Sequence, residues 1–223
     1  MTELAITRRI RSTIWSSRIE DFGIRAYTVY NHMLLPTQVR GVEADYHHLR
    51  SAVQVWDVAC ERQVELHGPD AARLAQLLTV RDLSGFVDGR CGYAPVVDHD
   101  GRLINDPVVL RVAHDRWWFS VSDSDVVLWA GGLAHGMGLD VRVSEPNVNP
   151  LAVQGPHSEA VMAAVFGESV RAITTKLGSV LASTAALMRS TISSLETISL
   201  LGRWPQRFCA TWSSRCTAAA PAS

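Results

Sequence analysis

The chain has no excess of charge of either sign: its 223 residues carry 21 Lys and Arg against 22 Asp and Glu. Without a basic field nothing draws it to nucleic acid or to an anionic membrane, so a small molecule is the expected partner. Its four cysteines, Cys60, Cys91, Cys209 and Cys216, fall at no CxxC or other metal-ligand spacing, which agrees with a reduced, cytoplasmic protein. No secretory signal is legible, because Arg8, Arg9 and Arg11 precede only a short mixed stretch. No internal repeat is present. The apolar run 177–201 is broken by Arg189, Glu196 and many Ser and Thr, which argues against a membrane span. His47 and His48 are adjacent and point in different directions on a helix or a strand, so they are not a metal-ligand pair. Gly131-Gly132 and Gly136-Met-Gly138 lack the strand-to-helix context of a dinucleotide fingerprint.

What is present reads as a globular core. Hydrophobic residues make up 47% of the chain and charged residues 19%, and the length allows one large or two small domains. Residues 41–52 suggest a short helix. The run 53–58 alternates and opens a strand that 63–67 resumes. Asp70 is a plausible start for the helix 71–78, whose apolar positions are Leu74, Leu77 and Leu78. Strands over 93–97 and 108–112 flank the polar turn 98–101, as in a hairpin, and 116–122 continues as a third strand. Side-chain oxygens in Ser122-Asp123-Ser124-Asp125 are placed to cap a helix over 126–135 that Gly136 and Gly138 end. Short strands at 141–143 and 151–154 and a helix over 157–166 follow. This order predicts an α+β fold, with a mixed, largely antiparallel sheet and helices on one face. Trp56, Trp117, Trp118 and Trp129 sit at strand and helix spacing and read as core, not as a cation-binding box.

The pattern changes near Ile173. Residues 1–173 carry 21 acids and 16 Lys and Arg, together with all eight histidines, whereas 174–223 hold five Lys and Arg and the single acid Glu196. About a third of 174–223 is Ser and Thr. Two domains are therefore expected, 1–173 and an atypical Ser/Thr-rich tail at 174–223. The tail is either a long helix with a loose end or the translation of a shifted reading frame, and the second is favoured.

Four segments carry the functional reading: Tyr27-Thr-Val-Tyr-Asn-His-Met-Leu-Leu-Pro36, Trp56-Asp-Val-Ala-Cys-Glu-Arg-Gln-Val64, Ile104-Asn-Asp-Pro107 and Glu145-Pro-Asn-Val-Asn-Pro-Leu-Ala-Val-Gln-Gly-Pro156. From about Arg8 to Ile173 they resemble the folate-binding aminomethyltransferase family, that of the T-protein of the glycine cleavage system. Within it the likeness is strongest to the dimethylsulfoniopropionate demethylase subgroup. The resemblance implies the N-terminal part of the aminomethyltransferase folate-binding fold, with tetrahydrofolate as methyl acceptor. The implied substrate is a sulfonium, with an amine donor of the glycine cleavage type as the alternative and a non-catalytic folate-binding fragment as a third reading. A homodimer is left open. Family members continue for about as long again beyond residue 173, which implies impaired activity for this chain.

Residue roles come from the same resemblance. Asp106 matches the aspartate that contacts folate near its reacting nitrogens, with Asn105 placed to fix that side chain or the turn. Read without the other motifs, Asn-Asp-Pro is an ordinary turn. Tyr93 matches a tyrosine lining the folate site, or is a half-buried strand residue. Ser122, Asp123 and Asp125 lie where relatives place folate-contacting polar groups, which competes with the helix-cap reading. Tyr30 and Met33 line the pocket where the one-carbon donor meets folate, since an aromatic edge and a thioether suit a sulfonium; core packing is the alternative.

Overall fold

In the computed structural model, which describes residues 9–171, the first half of the chain runs α1 (Ser16–Glu20), β1 (Ala26–Tyr30), β2 (Met33–Gln38), α2 (Val42–Ser51), β3 (Gln54–Asp57), β4 (Gln63–His67) and α3 (Ala71–Leu78). There follow β5 (Cys91–Tyr93), β6 (Val96–Val97), β7 (Leu103–Asn105), β8 (Val108–Ala113), β9 (Arg116–Ser120), α4 (Val126–Gly136), β10 (Arg142–Ser144), β11 (Leu151–Gln154) and α5 (Ser158–Phe166). The tail expected over 174–223 lies outside the described residues.

The main sheet has the order β10-β4-β9-β8-β5 and is antiparallel throughout. The period-two pleat decides its faces. Val64 and Leu66 of β4 stand opposite Phe119 and Trp117 of β9, and Val109 of β8 stands opposite Phe119. On that face lie α3 and α4. Helix α3 forms because Ala71, Leu74, Ala75 and Leu78 fall on one stripe at spacings of three and four, and all four are fully buried. Each of the larger side chains here, from Leu66 to Phe119, contributes about 2 kcal/mol by leaving water. Truncating one to Ala costs about 2–5 kcal/mol. The α+β reading and the burial of Trp117 and Trp118 are as the sequence predicts. Trp117 also stacks under the Arg111 guanidinium at 5.7 Å.

Three two-stranded sheets surround the main one: β1-β2, β11-β3 and β6-β7. Two sequence expectations change here. The strand over 53–58 does not resume at 63–67, because β3 pairs with β11 and β4 with β9 and β10. The break is fixed by Asp57, whose carboxylate accepts bonds from the Thr13 hydroxyl and the Ala59 N–H. The hairpin about 98–101 is also divided. Its turn closes the short β6-β7 pair, with Asp98 Oδ1 accepting from Asp100 N and Arg102 N, while β5 and β8 pair beyond it.

Gly155 explains the Gln-Gly-Pro ending of the fourth motif. Its φ is +124°, and a Cβ there would stand 2.4 Å from the Ala52 carbonyl oxygen and 2.9 Å from Val53 Cα. Only glycine lets β11 leave so close to the end of α2.

Candidate functional site

The site is built from the tip of the β1-β2 hairpin. Tyr30 and Met33 are register partners, so two residues make the turn, and both Asn31 and His32 have positive φ, at 47° and 59°. That is the backbone of a type I′ turn, whose twist matches the flanking strands. Asn31 is 4% exposed and fully engaged. Its Nδ2 donates to Cys60 O at 2.8 Å, its Oδ1 accepts from Ser124 N at 2.9 Å, and its N–H donates to Asp123 Oδ1 at 2.7 Å.

A second buried asparagine grips the same loop from the other side. Asn105, at the end of β7 and 6% exposed, accepts from Ser122 N at 3.2 Å and donates to Ser124 Oγ at 3.0 Å. The segment between β9 and α4 is thereby fixed by bonds to two separate hairpins. Buried amides satisfied in this way hold one geometry, because leaving any member unpaired costs more than the bond contributes.

Ser122 sits at the centre of what this framework presents. Its Oγ donates to Asp106 Oδ1 over a long 3.4 Å. Burial raises the Tyr30 pKa, against a lowering by Ser122 and the Asp123 backbone, and the nearby Glu61 charge adds to the rise. The phenol therefore remains a proton donor at neutral pH, and its hydroxyl lies beside the Ser122–Asp106 pair.

The other expected residues fall in different places. Asp106 is exposed and lies in the two-residue step from β7 to β8, not in the hairpin turn. Buried Pro107 anchors that step. Tyr93 is half-buried at the end of β5, opposite Val108, and its carbonyl accepts from Arg81 at 2.9 Å. Met33 is 4% exposed, within the core. Asp125 pairs with His32 at 3.0 Å, both well exposed.

The helix-cap reading of 122–125 is corrected. Helix α4 begins at Asp125 with no side-chain cap bond, because the Asp123 carboxylate is drawn to Asn31 and that of Asp125 to His32. Asn105 fixes the Ser122–Ser124 loop and reaches Asp106 only through Ser122. The contacts of Asn31 and His32 are not legible in the sequence beyond the two-residue Asn-containing link between Tyr30 and Met33.

Both cysteines in the described residues are poor nucleophiles. Burial pushes the Cys60 thiol up to about 12, with Glu61 and Asp57 adding to the effect, and burial pushes Cys91 up to about 11.

The GCVT N-terminal domain family model matches residues 18–195. The chain belongs to that family. As a GCVT N-terminal domain protein it is 50% identical over 173 residues to the dimethylsulfoniopropionate demethylase of Ruegeria pomeroyi, covering 78% of this chain and 48% of that protein. It is 28% identical over 157 residues to the aminomethyltransferase of Flavobacterium psychrophilum, covering 69% of this chain and 43% of that one. The chain thus spans about half the length of the curated relatives it matches. Among solved structures, the glycine cleavage system aminomethyltransferase T from Bartonella henselae superposes with a TM-score of 0.60 at 19% identity, over 70% of this chain and 43% of that chain. At that identity the superposition shows a shared fold. The expected family and the N-terminal aminomethyltransferase fold are both found. Among the described residues no helix is long and apolar enough to cross a membrane.

Proposed function

We propose that this GCVT N-terminal domain chain acts in tetrahydrofolate-dependent methyl transfer from a sulfonium of the dimethylsulfoniopropionate kind. The observation that carries the reading is the Ser122–Asp106 pair, held by Asn31 and Asn105 with the Tyr30 hydroxyl beside it. A residue matched to the donor pocket thereby neighbours one matched to the folate site. The 50% identity to the Ruegeria demethylase supports a sulfonium donor over an aminomethyl one.

The residues fit a reduced pterin. Such a ring presents several N–H donors along one edge, and Asp106 is an exposed carboxylate whose one bond among the described residues is to Ser122, through Oδ1. Asp106 would orient the pterin by accepting those N–H bonds, with Ser122 fixing the carboxylate. Bound tetrahydrofolate supplies the nitrogen that receives the methyl group. Tyr30 would offer its ring to the cationic sulfur. In the transfer the S–CH3 bond breaks and its electron pair stays on sulfur as a thioether. The N–CH3 bond forms, and the proton displaced from nitrogen leaves to solvent. A sulfonium is a good leaving group, so orientation and not acid catalysis supplies the rate.

The test is a single-turnover mixture of the chain in excess with tetrahydrofolate and dimethylsulfoniopropionate, analysed for methyl-tetrahydrofolate and methylthiopropionate. Both products appearing together are expected. Transfer that occurs only with a lipoyl-borne aminomethyl group, releasing ammonia, would replace the sulfonium with the glycine cleavage donor. Failure to bind folate would overturn the reading.

A further inference from the structure

Strand β5 is an edge of the main sheet, and two guanidinium groups are fixed beside it. Phe86, buried in the segment between α3 and β5, has Arg81 at 5.6 Å and Arg90 at 5.0 Å from its ring centroid. The main chain anchors both: Arg81 Nη1 donates to Tyr93 O at 2.9 Å and Arg90 Nη1 to Gly85 O at 2.8 Å. Gly92 leaves the space for this packing, since a Cβ there would stand 3.1 Å from Phe86 Cζ and 3.4 Å from Arg81 Cζ.

The fold gives neither charge an anionic partner. Arg81 and Arg90 are exposed, and among the described residues neither is in an ion pair. The acids nearest in sequence are engaged elsewhere: Asp88 meets Arg111 at 2.9 Å, and Asp82 accepts from Ser84 N at 2.8 Å. Two guanidinium groups held on one ring repel each other, and an anion between them relieves that repulsion. With one nitrogen of each on a carbonyl oxygen, both keep N–H donors for a carboxylate.

One peptide unit sets this pair relative to Asp106. Its oxygen, Tyr93 O, accepts from Arg81, and its N–H, that of Ala94, donates to Pro107 O at 2.9 Å. Pro107 directly follows Asp106. The Arg81 guanidinium and the Asp106 backbone are thus about two strand spacings apart, on the order of 10 Å. We propose that Arg81 and Arg90 form the subsite for the glutamate carboxylates of tetrahydrofolate. The inference rests on the folate reading above and adds a second point at which the chain holds that ligand. The Asp106 carboxylate suits the N–H edge of the pterin, whereas the p-aminobenzoyl ring and its amide carry the anionic end of the molecule away by a distance of that order. Opposite charges on the protein at the two positions fix which way round the folate lies.

The experiment is calorimetric titration of the full chain with tetrahydrofolate and with its glutamate diamide, in which both carboxylates are replaced by neutral amides. The wild type is expected to bind tetrahydrofolate at least about tenfold more tightly than the diamide, and added salt should weaken tetrahydrofolate more steeply than the diamide. In the double variant Arg81→Gln, Arg90→Gln the preference should fall below about threefold with diamide affinity unchanged. Arg90→Gln alone, which leaves the bond from Arg81 to Tyr93 in place, should lose part of the preference, and Arg90→Lys should keep more of it than Arg90→Gln. A purely structural role for the two arginines would weaken both ligands alike. Equal wild-type affinity for the two ligands, a preference unchanged in the variants, or equal weakening of both ligands overturns the subsite, while tetrahydrofolate binding by the wild type leaves the folate reading standing. Binding of neither ligand by the wild type means that the folate reading itself has failed, and the subsite with it.

Discussion

Asn31 Nδ2 donates to the main-chain oxygen of Cys60 at 2.8 Å, joining segments 29 residues apart in sequence. Through Asn31 Oδ1 and N–H the same residue holds Ser124 and Asp123. One buried amide therefore sets the positions of Tyr30, Glu61 and Ser122 relative to one another.

Asn31→Ala is expected to destabilise the chain by about 3 kcal/mol, since two buried groups lose their partners and alanine is forced to a φ of 47°. Asn31→Gly relieves the backbone but not the lost bonds, and should fall between the two. Urea unfolding midpoints of the three proteins check this order. Equal losses for Ala and Gly would mean that the turn backbone carries no strain.

Gly155→Ala should be costlier than an ordinary loop substitution, at least about 2 kcal/mol. The new Cβ would meet main-chain atoms, which cannot rotate away as a side chain would. The contrasting substitution is Gly101→Ala, where φ is also positive at +78° but nothing lies within 4 Å. Thermal melts of the two variants separate steric conflict from backbone conformation.

Glu145 bonds Arg11 at 2.8 Å and meets Arg62 at 3.1 Å. Burial works to raise its pKa, but the Arg11 bond and the Arg62 charge outweigh it, leaving the carboxyl below the ordinary value. A depressed folded-state pKa stabilises the protein above the unfolded value of about 4.3, and that stability is lost as pH falls through the folded one. Glu145→Gln should therefore cost about 2 kcal/mol at pH 7, and the gap to wild type should shrink below pH 4.3. Denaturant titrations at both pH values give the answer, and a gap independent of pH would contradict it.

Local patterning made much of the fold legible. The stripe Leu74–Leu78 announces α3 and the alternation in 63–67 announces β4, because burial of one face repeats at the period of the element, while the aromatic run Trp117–Phe119 marks β9 as a strand covered on both faces. What local pattern could not convey was partnership across long separations. Residues 53–67 read as one interrupted strand, since nothing nearby shows that Thr13 captures Asp57 or that Asn31 captures Cys60. Asp123 and Asp125 read as cap residues because their spacing before α4 is right, and only the folded hairpin reveals the competing donors. For the site, resemblance pointed to Tyr30, Ser122 and Asp106 one by one. That Ser122 bonds Asp106 and stands beside Tyr30 is visible only in the folded chain.

The most direct test of the account is the affinity of the chain for tetrahydrofolate with and without the Asp106 carboxylate. Because Asp106 is exposed, Asp106→Ala should leave the melting temperature essentially unchanged. Calorimetry is then expected to show measurable tetrahydrofolate binding by the wild type, weakened at least about tenfold in the variant, the worth of one charge-assisted hydrogen bond. Equal affinity in the two proteins would contradict the assignment of the carboxylate to folate.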